Sequence, residues 1–79
     1  TYAWILYKLQ RYEEARTHIE HAIEVDTNPS DVLYEHAGDI HLRLGDKAQA
    51  LDYWHKALQW QREHGTADKA LEKKIKLLK

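Results

Sequence analysis

Four apolar positions recur at a constant offset, and this internal repeat limits the folds that are open to the chain. Counted from position 15 to position 50, the offset is 35 residues, and it relates Ala15, Ile19, Ala22 and Ile23 to Ala50, Trp54, Ala57 and Leu58. Steps of three and four residues are those of one face of an α-helix. A helical unit that repeats with such a period buries its apolar face by stacking on a neighbouring copy. The repeat therefore predicts an all-α protein of stacked helical hairpins.

The best-defined hairpin turns at Gly45. Glycine at this point supplies the left-handed residue that ends a helix, and Asp46 with Gln49 three residues later predicts a capping box for the next helix. Gly38 and Ala50 are the smallest residues on the two facing apolar sides. Small residues at such positions predict a close approach of the two helix axes.

Three further helices are predicted around this hairpin. The apolar run from 1 to 9 indicates a short helix that is covered on most sides, and the segment from 12 to 26 is amphipathic. Asn28 as N-cap and Pro29 at the first helical position predict the start of a third helix. Thr66 is expected to cap a fifth helix, whose lysines face away from its apolar residues.

The tryptophans are better explained by packing than by ligand binding. Trp54 is predicted to fill the large core position of its repeat unit, since Ile19 stands there one period earlier. Trp60 takes the position of Val25, which is expected to touch the following hairpin. By analogy, Trp60 is expected to touch the fifth helix near Leu71 and Ile75.

The residues at the repeat positions resemble the tetratricopeptide repeat family, whose unit of about 34 residues has the pattern W-x2-L-G-x2-Y, A-x3-F and P. In the second unit these positions hold, in order, Tyr34, Ala37, Gly38, His41, Ala50 and Trp54. In the first unit the glycine, tyrosine, alanine and phenylalanine positions hold Ala3, Leu6, Ala15 and Ile19. The closing proline position holds Thr27 in the first unit and Arg62 in the second, so both units depart from the pattern there.

The resemblance implies antiparallel helical hairpins stacked in a right-handed superhelix, with five helices that include a C-terminal capping helix. It divides the chain into an N-terminally truncated repeat at 1–27, a complete repeat at 28–64 and the capping helix at 65–79. Because the chain begins at Thr1 and enters directly on an apolar run, we expect a piece of a longer protein. The segments YAWILYK, RYEEA and LEKKI are similar to the C-terminal part of bacterial, particularly Bacteroidetes-like, members of the family.

The resemblance also implies where a partner would bind, because the family binds peptides or protein surfaces along the concave side formed by the first helix of each hairpin. The outward positions of these helices are Trp4, Tyr7, Lys8, Val32, Glu35, Asp39, Leu42 and Arg43. Members that bind acidic chaperone tails hold lysine and asparagine where Glu35 and Asp39 stand, and two carboxylates would repel such a tail. The alternative is a solvated helix face on which Asp39 and Arg43 form an ordinary i,i+4 ion pair.

Composition and spacing argue against several other classes. The chain has no cysteine, which excludes disulfides and thiolate metal sites, and its formal net charge of −1 argues against general polyanion binding. His18 with His21, and His36 with His41, bring no third ligand locally, so no metal site is expected. His41 replaces an aromatic residue of the repeat pattern and is predicted to be a packing histidine.

The C-terminal lysines raise the alternatives of nucleic acid and of an anionic membrane. Aromatic residues do not interleave with them, and the apolar positions between them are needed to cover the second hairpin. This end of the chain is therefore interpreted as the polar outer face of a terminal helix. We expect no nucleic-acid partner and no direct membrane contact. Nucleophile elbow, phosphate loop and zinc-hydrolase motifs are absent from the sequence, so neither an enzyme nor a cofactor is expected.

Two functional hypotheses follow. The first is a non-catalytic protein-interaction or scaffold module that binds a peptide or protein along its concave face. The alternative is a purely structural C-terminal end of a longer solenoid, which packs on preceding repeats through Tyr2, Trp4, Ile5 and Leu6. In that case the excised piece should form a homo-oligomer through the same face. Bacterial cytoplasm and cell envelope both stay open as locations.

Overall fold

Five α-helices follow one another in the computed structural model, which describes residues 2–26, 29–66 and 69–78. Their bounds are Tyr2–Lys8 for α1, Tyr12–Val25 for α2, Asp31–Arg43 for α3, Lys47–His64 for α4 and Lys69–Leu78 for α5. Within these residues there is no β-strand. The predicted all-α fold with five helices is confirmed.

The connection between α3 and α4 has the predicted turn chemistry. Gly45 has a φ of 83°, a left-handed conformation that a residue without a Cβ adopts at little cost. The carboxylate of Asp46 accepts a hydrogen bond of 3.1 Å from the backbone N–H of Gln49, so the predicted N-cap is confirmed. Only this half of the capping box forms, because the N–H of Asp46 donates to the carbonyl of His41 at 2.9 Å.

The start of α3 differs from the prediction. Pro29 precedes the helix instead of taking its first position, and Asn28 lies outside the described residues. Ser30 is the N-cap residue, and Asp31 is the first helical residue. The Asp31 carboxylate accepts a hydrogen bond of 2.9 Å from the side chain of Gln61 on α4. A side chain expected to favour the helix dipole therefore also links the two helices of the second hairpin.

Backbone hydrogen bonds close the end of α4. Gly65 has a φ of 71°, and the N–H of Thr66 donates to the carbonyl of Gln61 at 2.8 Å. This bond satisfies a carbonyl group that the end of a helix otherwise leaves without a partner. The predicted capping of α5 by Thr66 depends on residues 67 and 68, which lie outside the described part of the chain.

Small residues let α3 and α4 approach closely. A Cβ built on Gly38 would lie 3.0 Å from the carbonyl oxygen of Ala50 and inside contact distance of the Trp54 ring. Trp54 is buried across Gly38, and its Nε1 donates to the carbonyl of Glu35 at 3.3 Å. The packing roles predicted for Gly38, Ala50 and Trp54 are confirmed.

Two apolar clusters make up the core. The first joins α1, α2 and α3 and contains Ala3, Leu6, Ala15, Ile19, Ala37 and Ile40. The second joins α4 and α5 and contains Trp54, Ala57, Leu58, Leu71 and Ile75. His41 is buried and stacks on Tyr53 with a centroid distance of 5.3 Å, which confirms the predicted packing histidine. The second cluster fixes the position of α5 on the second hairpin.

The contact predicted for Trp60 with Leu71 and Ile75 is wrong. Trp60 stacks on His64 of its own helix, with a centroid distance of 3.7 Å. It is not among the described side chains that pack on the cluster of Leu71 and Ile75. Val25, at the same position one period earlier, is mostly exposed. α5 docks on the face of α4 that carries the second apolar cluster, and Trp60 does not belong to that cluster.

Candidate functional site

Stacked rings connect α1 to α3. The Trp4 ring lies parallel to the Tyr7 ring at 4.6 Å and to the His36 ring at 3.9 Å, measured between ring centroids. The Tyr7 hydroxyl accepts a hydrogen bond of 3.4 Å from Nε of Arg43, and Nζ of Lys8 lies 6.0 Å from the centroid of the Trp4 ring. We call these five residues the aromatic group. Each ring restricts its neighbour, so the group presents a fixed surface.

A lysine of α5 connects this helix to α3. Nζ of Lys74 donates to the Glu35 carboxylate at 2.7 Å and to the Asp39 carboxylate at 3.4 Å. The expectation that the α5 lysines all face away is therefore wrong for Lys74. The alternative i,i+4 pair of Asp39 with Arg43 is wrong as well, because Lys74 is the partner of Asp39 and Tyr7 that of Arg43. We call Glu35, Asp39 and Lys74 the charged group.

Burial and charge act against each other at these residues. Burial raises the pKa of the Asp39 carboxyl above its ordinary value, although the charge and hydrogen bond of Lys74 oppose the change. Burial lowers the pKa of Lys74, but its hydrogen bond to Glu35 and the charges of both carboxylates outweigh burial, and the net pKa is raised. At His36, burial lowers the pKa against the charges of Asp39 and Glu35. Near pH 7, Lys74 is therefore charged and His36 mainly neutral.

A hollow of about 260 Å³ lies beside the charged group, where α3, α4 and α5 meet. Its lining is mostly apolar and consists of Asp39, Leu42, Trp54, Lys74, Leu77 and Leu78. Nζ of Lys74 lies 5.7 Å from the centroid of the Trp54 ring. Leu77 stands at the edge and is 80% exposed. The hollow therefore joins an apolar wall to two charged side chains, Asp39 and Lys74.

Seven of the eight residues predicted to face a partner fall into these two regions. Trp4, Tyr7, Lys8 and Arg43 belong to the aromatic group, and Glu35, Asp39 and Leu42 lie at the charged group or the hollow. Val32 is mostly exposed on α3 and belongs to neither. Whether these residues bind a partner stays a prediction.

Sequence reasoning missed four residues of these regions: His36, Lys74, Leu77 and Leu78. His36 was considered only as a metal ligand, although it stands one turn before Asp39 and two turns before Arg43 on the same helix face. That spacing was the signal for its position. For the three α5 residues no such signal exists, because a helical pattern does not indicate how the helix is rotated onto its neighbour.

The N-terminal face predicted to pack on preceding repeats is only partly exposed. Tyr2, Ile5 and Leu9 are 57%, 56% and 61% exposed, and they form one stripe at steps of three and four residues. Leu6 is buried in the first apolar cluster, and Trp4 is covered by its ring contacts. The predicted exposure is therefore wrong for Leu6, whereas Trp4 is only partly buried.

Within the described ranges, no three histidine or carboxylate side chains come together in a way that could hold a metal ion. Both ring nitrogens of His41 are buried without a hydrogen-bond partner. No helix among the described residues has the length and apolar character required to cross a membrane.

Comparison with known proteins gives one match. The family model of the tetratricopeptide repeat matches residues 1–29 and 32–64, which is most of the chain. No curated protein and no solved structure matches at a significant level. The family match agrees with the helix order and with the repeated small residues at the helix contacts. The chain therefore belongs to the tetratricopeptide repeat family, whose repeats generally mediate protein–protein interaction or scaffolding and are typically non-catalytic.

Proposed function

We propose that this chain is a protein-interaction module that binds a peptide or protein surface along the face formed by α1 and α3. The residues proposed to contact the partner are Trp4, Tyr7, Lys8, Val32, Glu35, Asp39, Leu42 and Arg43. In this proposal α5 caps the complete repeat of 28–64, and the first repeat occupies 1–27.

The observation that best supports the proposal is that side chains on this face hold one another in place through ring stacking and ion pairs. Trp4 is held between Tyr7 and His36, and Lys74 holds the Glu35 and Asp39 carboxylates. A surface that is ordered before binding loses less conformational entropy when a partner arrives. Aromatic side chains and arginine are also the residue types that contribute most to interface energies.

Peptides selected from a random display library against the immobilised chain test this proposal. Titrated into isotope-labelled protein, they should shift the NMR signals of α1 and α3. Val32→Gln should weaken binding several-fold, whereas Val25→Gln should not. Val25 is the matched control because it is a mostly exposed valine on α2. Signal shifts confined to α2 and α4 would contradict the proposal.

The exposed stripe of Tyr2, Ile5 and Leu9 favours a second function, that of a structural array end that packs on a preceding repeat. An apolar stripe of this kind also pairs with a second copy when no repeat covers it. We expect light scattering to show a concentration-dependent increase in mass, which Ile5→Lys abolishes and Val25→Lys does not. A monomer at high concentration would count against this function.

A further inference from the structure

The hollow between α3 and α5 is below the usual size of a cofactor site and large enough for a side chain. Its volume is about 260 Å³, whereas sites for drug-sized molecules and cofactors measure about 300 to 1,000 Å³. Trp54 is buried at its wall, and the mostly exposed Leu77 stands at its edge. An aliphatic side chain of a partner would cover the apolar surface that Leu77 and Leu42 leave in contact with solvent.

The charged group beside the hollow carries more negative than positive charge. Two carboxylates, Glu35 and Asp39, share one ammonium group, that of Lys74. Burial raises the pKa of Asp39 in spite of this ion pair, and the Asp39 side chain is only 16% exposed. A single lysine therefore compensates the two carboxylates incompletely, and a second cation would find acceptors that are already held in position.

Arg43 and Arg62 are engaged elsewhere. Arg43 on α3 bonds to the Tyr7 hydroxyl, and Arg62 on α4 faces Glu72 at 3.7 Å. An acidic partner would meet the two carboxylates and would compete with them for Lys74, which like-charge repulsion disfavours. Charge complementarity thus selects a basic partner.

We propose that the hollow binds a partner segment in which a lysine or arginine stands next to an aliphatic residue. The basic group pairs with the Glu35 and Asp39 carboxylates beside Lys74, and the aliphatic side chain enters the space between Leu42, Trp54 and Leu77. This inference rests on the proposed function and names the chemistry of its partner. Part of the site belongs to α5, so this helix takes part in recognition as well as in packing on the second hairpin.

Three synthetic peptides test the charge preference. They share one flexible Gly-Ser sequence with blocked ends and differ only in a central Arg-Leu, Gln-Leu or Glu-Leu pair. NMR titration should show shifts of the Trp54 indole and of the Leu42 and Leu77 methyl signals. Arg-Leu should bind about threefold more tightly than Gln-Leu, as expected of a partly exposed ion pair, and Glu-Leu should bind most weakly. Added salt should reduce the differences.

Isosteric variants test whether the preference for the basic peptide depends on the Glu35 and Asp39 carboxylates. Glu35→Gln combined with Asp39→Asn should remove the difference between Arg-Leu and Gln-Leu. Glu20→Gln combined with Asp52→Asn is the matched control, because it makes the same chemical changes at exposed positions on α2 and α4. Circular dichroism of each variant verifies that the helices are intact.

Two lysine variants on α5 test whether removal of the competing cation strengthens binding of the basic peptide. Lys74→Met removes the competing cation and should strengthen Arg-Leu binding. Lys73→Met, at an exposed neighbouring position on the same helix, should leave it unchanged.

Equal binding of all three peptides, or tightest binding of Glu-Leu, would overturn this inference and leave the proposed function intact. The inference is likewise overturned, and the proposed function left intact, if none of the three synthetic peptides shifts the signals of the hollow while library-selected peptides shift the signals of α1 and α3. If the selected peptides also leave α1 and α3 unchanged, both the inference and the proposed function are wrong.

Discussion

Gly38→Ala is expected to lower the free energy of unfolding by about 2 kcal/mol. The added Cβ would overlap the Trp54 ring and lie 3.0 Å from the carbonyl oxygen of Ala50. Overpacking of a core typically costs about 1 to 3 kcal/mol. The upper end applies here, since a buried ring and a helix backbone have little room to move. The higher helix propensity of alanine returns about 1 kcal/mol, which reduces the loss without cancelling it.

Chemical denaturation in a double-mutant cycle with Trp54→Leu identifies the cause of this loss. Trp54→Leu is itself destabilising, because it removes ring packing and the hydrogen bond to the Glu35 carbonyl. In its background, however, the overlap with the ring is gone and only the 3.0 Å approach to the Ala50 carbonyl oxygen remains, so Gly38→Ala should cost clearly less. Equal destabilisation by Gly38→Ala in both backgrounds would show that the ring of Trp54 is not the obstacle.

Leu71→Asp is expected to release α5 from the second hairpin. Leu71 is 1% exposed in the second apolar cluster, and a carboxylate without a partner there would cost several kcal/mol. Undocking of α5 is the cheaper response. Because the substitution has already removed Leu71, undocking gives up the burial of Ile75, roughly 1.5 to 3 kcal/mol, and restores conformational freedom to the helix backbone.

Amide hydrogen exchange measures this release directly. Protection of the α5 amides should fall by about tenfold or more, since about 1.4 kcal/mol of local stability corresponds to a factor of ten. Protection of α3 and α4 should persist. Leu77→Asp on the same helix is the control, because Leu77 is 80% exposed and its replacement should leave protection unchanged. Unchanged exchange of α5 in Leu71→Asp would contradict the packing described above.

Most of the fold could be predicted because its signals are local in the sequence. The helix end at Gly45, the capping carboxylate of Asp46 and the small residues Gly38 and Ala50 act within one hairpin, and each is found as expected. The start of α3 was predicted too early, at Pro29, because this local signal does not fix the first residue of the helix. Proline is compatible with the first helical turn but does not require it.

Most residues of the candidate site could be predicted from the sequence, but the contacts between them could not. Seven of the eight predicted side chains lie in the aromatic group, the charged group or the hollow, because they share one face of α1 or α3. Their partners could not be read from spacing. Arg43 bonds to Tyr7 rather than to Asp39 one turn away, since the phenol of α1 lies within its reach.

The sequence by itself determined the repeat, the helices and the faces that they bury, because periodicity and capping depend on residues only a few positions apart. Only the tertiary structure determined how α5 packs and which residues it contacts. Lys74 meets Glu35 across 39 positions of the chain, and Trp60 stacks on His64 instead of packing on Leu71 and Ile75. Both outcomes depend on the angle at which α5 packs on α3 and α4. That angle is set by the fit of Leu71 and Ile75 to the second apolar cluster rather than by any local pattern.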